Sequence, residues 1–225
     1  MTSLRRNTWI VAAIVALACG EISAPDRSDH YEWRLVVNYD SLGPRLDTLS
    51  FHWPRSALPV RIWVEDAEEL PASVSRGIGL WKGALLYGEW DAKLVSDSMT
   101  ADIIVRLGPS PGPVPPPVLA RLRSALLPQC DGVTEIDTVS TRFELSLPVH
   151  VFINPLSLPG DPDLPRCLNV TAAHELGHSI GVFQHSPDAN DLMFAQPAVD
   201  PLSRRDVNTI QVLYHYPANM VPVRP

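Results

Sequence analysis

Twenty-three of the 225 residues are proline, about twice the usual share. Each proline fixes φ and removes a backbone donor, so long uninterrupted helices are excluded over much of the chain. The densest stretch, residues 109–117, reads Pro-Ser-Pro-Gly-Pro-Val-Pro-Pro-Pro and is expected to form a stiff, extended loop. Apolar and polar residues arranged for strands occur over 33–39, 59–65, 93–96, 102–107, 143–147 and 148–154. Val74, Ile78, Trp81 and Leu85 recur at helical spacing, with Pro71 suited to a first turn and Gly88 to an end. A helix is therefore expected over 71–89, and others over 119–127, 169–183 and 203–216, the last amphipathic. These elements sum to an α+β domain with a mixed twisted sheet of about five strands and about three main helices.

The first eighteen residues are set apart from the fold. Arg5 and Arg6 precede an apolar run from Trp9 to Ala18, ten residues long, about half of what a membrane-spanning helix needs. This is the pattern of a signal peptide over residues 1–18. The sequence Ala16-Leu17-Ala18-Cys19-Gly20 resembles the bacterial lipobox, which implies a lipid on Cys19 and a mature chain beginning there. Gly20, lacking a retention-type acid, points to the outer membrane; simple cleavage and secretion is the alternative. Residues 19–50 read as a tether and 51–220 as the compact domain. Cys130 and Cys167 remain, an even pair expected to form a disulfide in an oxidising compartment. The balance of 18 Lys and Arg against 25 Asp and Glu argues against nucleic acid as a partner. Membrane contact is expected only through Cys19, and the protein is expected to be a monomer.

The chemically informative segment is Ala173-His174-Glu175-Leu176-Gly177-His178, continuing through Gly181 to His185 and Ser186. On a helix, His174 and His178 project from one face, so a single Zn²⁺ can accept both imidazoles. Glu175 stands beside them, placed to take a proton from an attacking water. A helix continued to His185 would return it to that face, but about 10 Å beyond His178 along the axis. The helix must therefore stop and the chain turn back, and Gly181 stands where that turn is needed. Asp188 and Asp191 are alternatives for the third ligand, although beside Pro187 and Asn190 they also suit a turn. His150, in the alternating run 149–153, reads as a strand histidine, with a second metal as the alternative. His30, His52 and His215 are assigned no role.

This pattern resembles the metzincin zinc proteases, and within them the matrixins, whose signature is H-E-x-x-H-x-x-G-x-x-H followed by a methionine turn. Three residues, not two, separate Gly181 from His185, a spacing similar to that of bacterial matrixin-like sequences. Ser186 and Leu192-Met193-Phe194 resemble the matrixin continuation, with Phe194 and Ala195 where a matrixin usually has Tyr and Pro. The run from Pro201 to Tyr214 resembles the family's last helix, Asp206 matching an acid near its start. The likeness covers roughly residues 51–216. It implies a metzincin-like fold and a zinc-dependent endopeptidase acting on proteins or peptides outside the cytoplasm. His174, His178 and His185 would hold Zn²⁺, and Glu175 would serve as general base. Structural Ca²⁺ occurs in matrixins, but no acidic calcium loop is evident here. Pro165-Arg166-Cys167 resembles the cysteine switch of matrixin propeptides, yet it lies on the wrong side of the first strands and lacks the following Gly. An edge strand at 148–154 is expected to align an extended peptide by backbone pairing. The rival reading is a non-catalytic, zinc-containing surface lipoprotein or a binding module using the proline-rich loop. Glu175, which structural zinc does not need, favours hydrolysis.

Overall fold

A computed structural model describes residues 28–38, 46–111, 118–126, 130–139, 143–156 and 160–224. The expected signal over 1–18, Cys19 and most of the proline-rich loop lie outside the described residues. Near the start, β1 (Leu35–Asn38) and β2 (Leu46–Leu49) form a two-stranded antiparallel sheet. Then follow β3 (Val60–Val64), α1 (Leu70–Ala84), β4 (Ala92–Val95), β5 (Ile103–Leu107), β6 (Val118–Leu126) and β7 (Cys130–Val139). The chain continues through β8 (Glu144–Ser146), β9 (Val149–Pro155), α2 (Leu164–Ser179), α3 (Arg204–Tyr214) and β10 (Val221–Val223).

The principal sheet runs β4-β3-β5-β9-β7. Its first four strands are parallel and β7 is antiparallel to β9. On its other edge β7 pairs antiparallel with β6, while β8 takes up the far end of β7 and β10 adds to β8. Among the described residues this is an α+β architecture of three α-helices and one mixed sheet, as composition and periodicity predict. Val60 and Ile62, Ile103 and Val105, and Val149 and Val151 alternate into the core, as strands with one face on helices must. Against them lie α1, through Val74, Ile78 and Trp81, and α2, through Leu168, Ala172 and Leu176. The two helices approach closely at Gly77, where a Cβ would stand 3.1 Å from the Ala173 Cα. Trp81 Nε1 donates to the Ala173 carbonyl at 2.8 Å. The core also takes in Tyr31, Trp33, Leu35 and Val37, upstream of Phe51.

Two expectations are corrected. Residues 119–127 were expected to be helical, but Val118–Leu126 is β6, because its backbone pairs residue by residue with β7. Pairing with a neighbour outweighs a weak local preference for helix. Residues 148–154 are not an edge strand: β9 lies between β5 and β7. Val149, Val151 and Ile153 face the core, and on the other face Phe152 is buried while His150 is half-buried. The helices also shift at their ends. α1 stops at Ala84, since Leu85 turns into the core while Leu86 and Tyr87 face solvent. α2 begins at Leu164, with Pro165 in its first turn, and ends at Ser179.

Candidate metal centre

The site is built on the last turns of α2. His174 and His178, one turn apart, are both fully buried. His174 Nδ1 lies 2.7 Å from the Leu192 carbonyl, and His178 Nδ1 2.6 Å from that of Val182. Each ring thus donates from Nδ1 and keeps Nε2 as a bare acceptor. Beyond the helix, Gly181 takes φ +118°, and a Cβ there would collide with the Phe51 carbonyl oxygen. The chain turns back at this point and brings His185 Nε2 to 3.2 Å from His178 Nε2. Nitrogens this close require a proton or a cation between them. One nitrogen from each of the three rings lies within 4.8 Å of the others. His174 Nε2 is buried with no hydrogen-bond partner, an orphan that native proteins seldom leave. Three imidazoles so arranged could hold a metal ion and leave a coordination position free.

Burial keeps the rings neutral. It lowers His174 to about 3, against the pull of the Leu192 carbonyl. His178 falls well below the ordinary imidazole value through burial first, then through His174 and His185. Burial also lowers His185. Neutral imidazole is the form that ligates metals.

The surroundings hold this geometry from behind. Met193 is fully buried, and Gly177 gives it room, because a Cβ there would overlap the Met193 sulfur. Asp206 closes a capping box with Ser203 and accepts the Leu192 amide at 2.8 Å and the Tyr31 hydroxyl at 3.0 Å. It also accepts the Met193 amide at 3.4 Å, which belongs to the peptide whose carbonyl orients His174. Arg205 reaches Asp29 and Asp188, each at 3.2 Å, and Asp191 at 3.6 Å. Asp191 also accepts from Ser186 Oγ, and Asp188 from the Asn190 amide. Both alternatives for the third ligand are therefore engaged elsewhere. Among the described residues the metal-capable group is His174, His178 and His185. His150 lies apart on β9, its ring 6.2 Å from that of Phe152.

Glu175 is also fully buried, and its carboxylate lies against β7. The Thr134 hydroxyl is 2.6 Å from Glu175 Oε2 and 3.1 Å from the Glu175 carbonyl oxygen. Gly132, two residues earlier on the same face of β7, abuts Oε1 so closely that a Cβ would overlap it. Neither residue carries a signal in the sequence, because nothing local tells which face of β7 meets α2. The half-buried His185 reaches a cavity of about 550 Å³ lined also by His30, Glu32, Gln184, Pro187 and Arg205. Cys130, at the start of β7, is bonded to Cys167 in α2, with their Cα atoms 5.9 Å apart. Cys167 is thus a disulfide partner, and the bond points to an oxidising compartment. Among the described residues no helix is long and apolar enough to cross a membrane.

No protein-family model matches the chain, and no curated protein matches it.

Proposed function

We propose that the protein is a matrixin-like, zinc-dependent endopeptidase that cleaves proteins or peptides outside the cytoplasm. The observation that carries this reading is the convergence of three neutral imidazoles, one with an orphaned Nε2, two of them on the helix that also carries the buried Glu175. His174, His178 and His185 would hold Zn²⁺, the ion that a three-histidine set with an open position suits. Bound zinc supplies Lewis acidity for a water and a peptide carbonyl. Glu175 accepts the proton of the attacking water and returns it to the departing amine. The Leu192 and Val182 carbonyls hold two rings in the ligating tautomer. The turn at Gly181, which returns His185 to His178, supports reading the longer spacing as a variant of the family pattern. A lipid on Cys19 would anchor the mature chain at the bacterial surface.

The deciding experiment is metal analysis of the mature protein, with cleavage of a peptide library followed before and after chelation. One zinc per chain, with cleavage lost to chelator and restored by Zn²⁺, is the expected result. Bound zinc without cleavage would favour a non-catalytic surface lipoprotein. Neither zinc nor cleavage would refute the reading.

A further inference from the structure

α2 sets the direction in which the Glu175 side chain leaves the backbone, but three torsions remain before its carboxylate is placed. Two of the groups that constrain those torsions come from β7. The Thr134 hydroxyl has one proton, and the carboxylate oxygen at 2.6 Å is a nearer acceptor than the backbone oxygen at 3.1 Å. A hydrogen bond to a charged acceptor is also the stronger choice. The other carboxylate oxygen stands over Gly132, where a Cβ would overlap it and approach Thr171 Cγ2 to 2.7 Å. Glycine is needed at 132 for space, since its φ is not among the positive ones.

We infer that Thr134 and Gly132 are positioning residues for Glu175, Thr134 holding one carboxylate oxygen and Gly132 clearing the place of the other. The inference rests on the proposed role of Glu175 as general base. Because Thr134 touches the base and not the substrate, its hydroxyl acts on kcat with little effect on KM.

Thr134→Val keeps the shape of the side chain and removes the donor. In the mature zinc-loaded protein it is expected to lower kcat about 10- to 100-fold at unchanged KM, the scale of one hydrogen bond to a charged group. Zinc content should stay at the native level. Thr134→Ser, which restores the hydroxyl, recovers most of the loss. Added to Glu175→Gln, Thr134→Val should cost nothing further in residual activity, whereas a purely structural role would subtract the same factor again. A readout free of catalysis comes from thermal unfolding of the metal-free protein. There Thr134→Val should lower the midpoint in the native background and much less in Glu175→Ala. Gly132→Ala should also depress kcat, but Thr134→Val carries the test if that variant fails to fold. Native kcat in Thr134→Val, or an equal loss in both backgrounds, overturns the positioning role while the protease reading stands. Zinc binding with no hydrolysis by the native protein overturns the base and its positioning together.

Discussion

Glu175 and His185 are assigned to one proposed site but should fail differently when replaced. Glu175→Gln keeps size and hydrogen bonding, so zinc content and fold stay native while peptide cleavage falls by roughly 10²–10⁴. His185→Ala removes a ligand, and zinc content and cleavage should fall together. Asp188→Ala should spare both, because its carboxylate serves Arg205 and Asn190; loss of zinc in that variant would contradict the ligand set. The buried rings also set a pH dependence. His174 titrates near 3 when folded, against about 6.5 in an unfolded chain. Between those values the unfolded state binds more protons, so the stability of the metal-free protein falls as pH drops from 7 towards 5. Thermal unfolding in chelator at pH 7.5, 6 and 5 measures this, and an unchanged midpoint would deny it. The three histidines were legible in the sequence because helical spacing and a glycine turn are local rules. Thr134, Gly132 and the Leu192 carbonyl were not, since their roles depend on how β7 and a distant turn meet α2.

Periodicity foretold β3 and the body of α3, where one face is buried and the other wet, and also β5, whose Ile104 is buried on the second face. It misjudged β6 and the place of β9, because strand neighbours are chosen by the sheet and not by the strand. β2, β7 and β10 were absent from the sequence reading for the same reason. The turn after α2 was predicted from a physical impossibility, a straight helix that overshoots, and the structure supplies it. Gly181 therefore offers a clean test. Gly181→Ala must adopt positive φ and push against the Phe51 carbonyl, which should cost at least about 2 kcal/mol in denaturant unfolding. The same substitution should weaken zinc binding, because His185 arrives through that turn. Native stability and native zinc affinity in this variant would show that the turn tolerates a side chain.

The chain's first described segment and its last helix close on one another. Tyr31 donates to Asp206, Asn208 to the Asp29 carbonyl, and Arg205 to the Asp29 carboxylate. Segment 28–38 is thus part of what supports the turn carrying Met193. The Cys130–Cys167 bond adds a different connection, joining the strand that holds Thr134 to the helix that holds His174 and His178. It closes a ring of chain in which β8, β9 and the start of α2 are contained. A single backbone cut anywhere between Asp131 and Arg166 therefore releases nothing. If the protein cuts itself within that ring, the two pieces stay joined, and a non-reducing gel shows one band at full mass. Adding reductant to the denatured sample should split that band in two, while a cut outside the ring should give two bands on either gel.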